Sequence, residues 1–514
     1  MLTAEQHATQ AAAPPIPPPG SFEQMRQLFH AGAAREAAAM GWALLKADPR
    51  DPLLLNLLAL AEHKLGNHGA ALVLLQRAIK ANPRGTAHWN DMGNVYCAIG
   101  DTEAARDAYS KAIECDPRCA EACNNMGVLA GDCKQFEEAR SWYEKALLLK
   151  PDYPDVLCNL GIALAAMGKY QKAVRRYEQA IKLQPDLHKA HFNLSLVRLV
   201  LGDLAGGWKE WDSRWNNPQM APAVRKFPQP AWTGEPLGTP PDGKRIFLYA
   251  EQGIGDTLQF IRYIPMVIAR GGQVILEVQP PLVPLFAPLL SAWAGPGPEI
   301  ILLAQKDPIP AFDTHCAFMS LPVVFATTLA TIPFPEGYLR APALPTVPEP
   351  APNAFRVGLV WAGSPTHKLD HQRSMPLSAL RPLLDLPGIH WFSLQKGEAA
   401  SQLASQAALD PLFASIEDTA ATLNNYADTA NLIHSLDLVI TVDTSVAHLA
   451  GAMGKPVWVL IQHHLPDWRW LLKRKDSPWY KSARLFRQPS EKDWPSVIAN
   501  VASELRTLQA APSS

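Results

Sequence analysis

The chain has 514 residues, with 47 basic and 48 acidic side chains and a net charge of -1. That length calls for two or three domains, and that balance argues against a broad cationic surface for nucleic acid or acidic membrane. No apolar run is long and clean enough to span a bilayer.

The first twenty residues, "MLTAEQHATQAAAPPIPPPG", lack the charged start and apolar centre of a signal peptide and read as a disordered Pro/Ala leader. With seven cysteines, an odd count, the expectation is a cytoplasmic protein with reduced thiols. Cys119 and Cys123 stand four apart and could share a helix face as metal ligands. No second ligand pair follows at zinc spacing, so they are expected as small core residues.

From about residue 21 the chain repeats itself. Pro49, Pro83, Pro117, Pro151 and Pro185 recur every 34 residues. Gly66, Gly100, Gly168 and Gly202 keep the same step, with Lys134 in the missing place, and so do Ala71, Ala105, Ala139 and Ala173. A further series, Gly93, Gly127 and Gly161, continues at Ser195. The unit "WNDMGNVYCAIGDTEAARDAYSKAIECDP" follows the tetratricopeptide pattern of aromatic, Gly, Tyr, Ala, aromatic and closing Pro. Residues 21–215 therefore resemble tetratricopeptide repeats, an all-α superhelix of paired antiparallel helices.

Asp91, Asn125, Asn159 and Asn193 also fall 34 apart, on the first helix of successive repeats. An amide offers both a donor and an acceptor, so this ladder is expected to line an acceptor groove for an extended peptide. The alternative is a solvated helix face. The array closes with "GGWKEWDSRW", whose Trp208, Trp211 and Trp215 form one helical stripe, expected as a buried seam against the next domain.

Beyond a Pro/Gly-rich linker over residues 216–243 the rhythm changes to alternating strands and helices. "RIFLYA", "QVILEV", "EIILLA" and "THCAFMSLP" read as strands of a parallel sheet over residues 244–340. A second linker covers residues 341–355. "RVGLVWAGS", "IHWFSLQKG", "DLVITVDTSVAHLAGAMGKP" and "VWVLIQ" then restart the pattern over residues 356–490, with a helix and tail over 491–514. Two doubly wound halves place ligands in the crevice outside the strand ends. There Asp443, Thr444 and Ser445 reach a helix start suited to a phosphate, and Asp443 could accept from sugar hydroxyls. Equally, Asp443 is only an N-cap and His448 a satisfied core histidine.

"EQGIGDTLQF", "GLVWAGS", "HQRSMPL", "SLQKGE", "VDTSVAHLAG" and "PDWRWLLKRKDSPWY", in this order over about residues 244–490, resemble the heptosyltransferase-type glycosyltransferases of GT-B architecture. They resemble most the bacterial branch in which such a domain, of the glycosyltransferase family 9 type, follows tetratricopeptide repeats. The resemblance implies a multidomain protein: the repeat superhelix, then an α/β GT-B domain of two Rossmann-like halves.

It also implies roles. Asp256, the acid of the Gly-Asp turn, becomes the general base. Thr444 and Ser445 take the diphosphate, while Asp443 and His448 face sugar or phosphate. Lys368 or Arg373 neutralises the leaving diphosphate, and Gln395 and Lys396 lie near the donor's ribose or base, where a plain turn is as good a reading. No Asp-x-Asp triplet occurs, so metal-independent transfer with no cofactor, only a nucleotide-sugar co-substrate, is the expectation. The pairs His367/His371 and His463/His464 lack a metalloenzyme spacing and read as loop polars.

The implied activity is transfer of a sugar to a protein or peptide docked by the repeats, such as a surface or flagellar subunit. Two alternatives stand beside it. One is a non-catalytic binding scaffold with a degenerate second half; the other is an enzyme whose acceptor is a glycan or lipid-linked saccharide.

Overall fold

The computed structural model describes residues 20–217, 224–238, 243–294, 300–342, 354–367, 369–464 and 466–510. Most of the leader, most of the second linker and Lys368 lie outside the described residues. The chain divides into two compact units, Met1–Leu164 and Ala165–Ser514.

Helices alternate with short turns from Phe22–His30 to Leu204–Trp211, including the pairs Thr86–Ile99 with Thr102–Cys115 and Ala120–Asp132 with Phe136–Leu149. The recurring glycines do two different things. Gly66, Gly100, Gly168 and Gly202 follow the first helix of a pair and have φ of 84°, 81°, 70° and 87°. This left-handed conformation suits a residue without Cβ. Lys134 fills the same step with φ 61°. Gly93 and Gly127 instead admit a ring: an added Cβ would lie 2.4 Å from Tyr109 and 2.5 Å from Tyr143. Ser195 continues that series by donating its hydroxyl to Gly207 O at 2.9 Å.

Helices Tyr170–Leu183, His188–Val200 and Leu204–Trp211 belong to the second compact unit, and the tryptophan stripe is a physical reason. Trp208 and Trp211 are buried, and their indole N–H groups donate to Thr327 O at 2.8 Å and Met319 O at 2.9 Å. Trp215 packs, half-buried, beside Phe247 and Tyr249. The expected seam is present.

The rest of the second unit is α/β, with two parallel sheets. The first contains β1 (Arg245–Tyr249), β2 (Gln273–Val278), β3 (Ile301–Ala304) and β4 (Thr314–Ala317), in the order β3-β2-β1-β4. The second contains β5 (Phe355–Val360), β6 (Ile389–Ser393), β7 (Ile416–Asp418), β8 (Leu438–Val442), β9 (Val457–Ile461) and β10 (Ala483–Arg487), in the order β10-β9-β8-β5-β6-β7. Alternate residues serve opposite faces, as strand geometry requires. Ile246 and Leu248 join one core while Phe247 and Tyr249 join another. The apolar run "LVITV" is buried throughout, as befits a central parallel strand.

Three details differ from the sequence reading. "THCAFMSLP" is a strand only to Ala317, after which Phe318–Ser320 and Leu321–Val324 turn helically. The short β7 and β10 had no expectation at all. The described part of the first linker is not free: Trp232 N donates to His315 O at 2.8 Å and His315 N to Pro230 O at 3.2 Å, so residues 230–232 extend the sheet beside β4. Trp232 is buried, and Phe227 packs edge-on to Phe247, Tyr249 and Phe312. Burying those aromatic rings outweighs the Pro/Gly signal for a linker.

Candidate functional site

A cavity of about 1360 Å³ opens between the two sheets, and strand ends build much of its wall. Gly253 to Asp256 follow β1 and Pro281 follows β2. Ala362 to His367 follow β5, Leu394 to Glu398 follow β6, Asp443 to Val446 follow β8, and Gln462, Asp467 and Arg469 follow β9. Both sheets change direction of strand order here, at β1/β4 and at β5/β8. Such a switch point splays the loops apart and leaves a crevice.

Asp256 sits in the first turn of helix Ile254–Phe260. Its Oδ2 accepts from Gly253 N at 2.9 Å, and its Oδ1 accepts from Arg469 Nη2. Burial raises its pKa against the pull of Arg469. The neighbouring Gly255 explains why the helix can come so near: an added Cβ would lie 2.8 Å from His448 Cδ2. Helix Ile254–Phe260 therefore packs directly on helix Ser445–Ala452, and the two sheets share one cleft floor.

The second half supplies most of the polar wall. Thr444 caps helix Ser445–Ala452, accepting from Val446 N at 3.3 Å, and Ser445 Oγ lies 2.6 Å from Tyr426 OH. Arg373 Nη1 donates to Asp443 O at 3.0 Å and its Nε to Asp370 Oδ1 at 3.1 Å. Room for that guanidinium comes from Gly363, whose added Cβ would lie 2.5 Å from Arg373 Nη2. Asp443 is 8% exposed. Burial first, and then the nearby Asp467, push its carboxyl up to about 7.

Two further candidates, His448 and Gln395, line the cavity and are also bonded within the protein. His448 is wedged against Trp470, with ring centroids 5.4 Å apart, and its Nδ1 lies 2.9 Å from Tyr480 OH. Burial and then Arg469 push its pKa down to about 3, so it is neutral and offers a phosphate no charge. Gln395 is buried, and its amide bonds the chain around it: it accepts from Trp361 N and Ala362 N and donates to Ala362 O. It holds the β5 loop in shape. Lys396 Nζ donates to Ala420 O at 2.6 Å at the exposed rim.

Arg469 and Asp467 have no role in the sequence reading, although "PDWRW" was among its motifs. Arg469 is buried and bonds Asp467 twice, at 3.1 and 2.9 Å, besides Asp256 and Gln259. Burial alone would raise Asp467, but Arg469 holds it below the usual carboxylate range. The usable signal was positional: an acid and a base two apart, just after the β9 strand.

The ladder of the repeats is tied into its own array. Asp91 accepts from Asn56 at 2.7 Å, Asn125 Nδ2 donates to Asn90 and Asn94, and Asn159 donates to Asn124 at 3.1 Å. Asn193 donates to its own helix at Lys189 O. Burial pushes Asp91 up to about 6. Cys123 is fully buried, as expected, whereas Cys119 is half-buried and caps helix Ala120–Asp132. Among the described residues no group of three or more His, Cys, Asp or Glu could hold a metal ion, and no helix is long and apolar enough to cross a membrane.

Comparison with known proteins bears on the repeats. Tetratricopeptide repeat models match residues 28–86 and 158–218, 89–119, and 118–186. The protein FlbA of Caulobacter vibrioides is 27% identical over 346 residues, 62% of this chain and 55% of its own length. The chain thus matches about half the length of that relative. A tetratricopeptide protein of Thermus thermophilus, TTC0263, is 23% identical, with 35% of this chain and 97% of that one covered and a TM-score of 0.32. For MamA the values are 21%, 32%, 95% and 0.28. Residues 28–218 carry tetratricopeptide repeats, a protein-interaction architecture.

Proposed function

We propose that the chain is a metal-independent GT-B glycosyltransferase whose repeats dock a protein acceptor. One observation carries this reading: Asp256, Arg373, Asp443, Thr444 and Ser445, drawn from separate motifs, line a single cavity at the carboxyl ends of two parallel sheets. Its size exceeds the roughly 300–1,000 Å³ of a pocket for one small ligand, leaving room for a nucleotide sugar and an acceptor segment together.

In this reading a nucleoside diphosphate lies against the start of helix Ser445–Ala452, where the helix dipole favours anions. Arg373 adds positive charge. An acceptor hydroxyl or amide attacks the anomeric carbon, the C–O bond to the diphosphate breaks with its electron pair leaving on the phosphate oxygen, and Asp256 takes the acceptor's proton. Arg469 aims that carboxyl and opposes the burial that raises its pKa.

The test is a thermal-shift screen of the purified protein against UDP-, GDP-, ADP-, dTDP- and CMP-sugars, with Asp256→Asn and Thr444→Ala alongside. A bound donor raises the midpoint because it stabilises only the folded state. The expected result is one donor that shifts wild type and Asp256→Asn but shifts Thr444→Ala less. If no donor shifts wild type, the second reading takes over. That reading is a protein-binding scaffold, and the repeats over residues 28–218 favour it.

A further inference from the structure

The terminal repeat helix touches the cleft machinery itself. Trp208 and Trp211 on helix Leu204–Trp211 both pack edge-on to Trp468, with ring centroids 5.4 and 6.3 Å apart. Trp468 also stacks on Phe260 of the Asp256 helix, and the Arg469 guanidinium lies 4.5 Å above its ring. Four residues thus form a chain from repeat to carboxylate: Trp208, Trp468, Arg469, Asp256.

Two further features stiffen it. After Arg469 the backbone passes through the left-handed region at Leu471 (φ 54°) and Lys473 (φ 55°), and Leu471 is buried. Non-glycine residues hold such conformations only where packing enforces them. On the other side, Arg214, fully buried, donates to Glu251 Oε1 at 3.2 Å and to Ser320 Oγ at 2.6 Å. Glu251 opens the turn that carries Asp256. Both loops that meet at the Arg469–Asp256 pair are therefore braced by residues 208–214.

We propose that Trp208 and Trp211 are positioning residues for the cleft, holding Trp468 and through it the Arg469 guanidinium on Asp256, so that a displacement of the terminal repeat helix is felt at that carboxylate. Calling this regulation of a transferase rests on the function proposed above; the mechanical coupling itself does not.

The test reads Asp256 through its proton, in the full chain without nucleotide. Around Asp256 stand Arg469 and Asp467 from the turn after β9, His448 from helix Ser445–Ala452, His367 from the loop after β5, and Glu251 on its own loop. Thermal midpoints are recorded from about pH 4 to about 8 for wild type, Asp256→Asn, Trp208→Leu and the double variant. The difference made by Asp256→Asn isolates that one carboxyl. Loosening Arg469 removes an opposite charge, so in the Trp208→Leu background this difference moves to higher pH by about 1 unit. Trp208→Phe, which keeps a ring but loses the bond to Thr327 O, gives a smaller shift in the same direction. Trp42→Phe, in the first compact unit, leaves the curve in place.

Identical pH dependence of the Asp256→Asn difference in wild-type and Trp208→Leu backgrounds overturns the proposal. Should Trp208→Leu fail to fold, Trp208→Phe carries the test, with the same direction expected and unchanged pH dependence overturning it. A nucleotide-sugar titration of wild type, run separately, tests the transferase reading, so either idea can fail alone.

Discussion

Arg469 is hydrogen-bonded to Asp256 across the cleft: the guanidinium comes from the loop after β9 and the carboxylate from the helix after β1. Both side chains are largely withdrawn from water, at 5% and 20% exposure. This pair joins the two sheets electrostatically, and several expectations depend on it.

Arg469→Ala leaves Asp256 and Asp467 in a confined space without their shared cation. Breaking a buried pair on one side costs about 3 kcal/mol. Denaturant unfolding followed by the fluorescence of the second unit should show that loss. Arg469→Lys, which cannot bond Asp467 twice and still reach Asp256 and Gln259, should recover only part of it.

Gly255→Ala pushes a methyl group against His448, which is itself trapped by Trp470 and Tyr480. Overpacking of this kind costs about 1–3 kcal/mol. The two helices must separate to relieve it, so the thermal midpoint should fall, and with it the affinity for any nucleotide sugar that the donor screen identifies. A midpoint unchanged within error would show that the contact is slack.

The acid–base balance of the cleft has a defined sign. Asp443 has a folded pKa of about 7 against 3.8 when free, so the folded state binds the extra proton between those values. Its favourable contribution is complete below about 4 and is lost as pH rises toward 7. Asp443→Asn should therefore gain stability relative to wild type over that window. His448 behaves oppositely: its pKa falls from 6.5 to about 3, so its contribution is complete above 6.5 and is lost as pH falls toward 3. Thermal midpoints of Asp443→Asn and His448→Gln against pH should slope in opposite directions relative to wild type.

In the repeats, Lys134 holds a left-handed conformation that glycine occupies at the equivalent steps. Lys134→Gly should stabilise the first unit by about 1 kcal/mol, since a side chain in that region costs about this much. Asn125→Ala should do the reverse, removing bonds to Asn90 and Asn94 at about 1 kcal/mol each. Hydrogen exchange of helix Thr86–Ile99 and helix Ala120–Asp132 would report both changes.

What the sequence determined by itself was periodic or local. A step of 34 residues specified the helix pairs, because every repeat meets the same packing problem and solves it with the same small residues. Apolar runs such as "QVILEV" specified strands, since a central parallel strand is buried on both faces. Strand-end motifs located Asp256, Thr444 and Ser445 because a turn to a helix has a local signature. The tertiary structure alone decided what depends on residues distant in sequence. Nothing near Arg469 in the chain announces Asp256, 213 positions away. Gln395 and His448 sit beside the cleft, yet their bonds go to backbone and to Tyr480, partners that no local pattern specifies. The tryptophan stripe foretold a seam, but only packing showed that Trp208 meets Trp468 and, through it, the candidate site. Side-chain direction is set by the whole surrounding shell, and that shell exists only once the chain has folded.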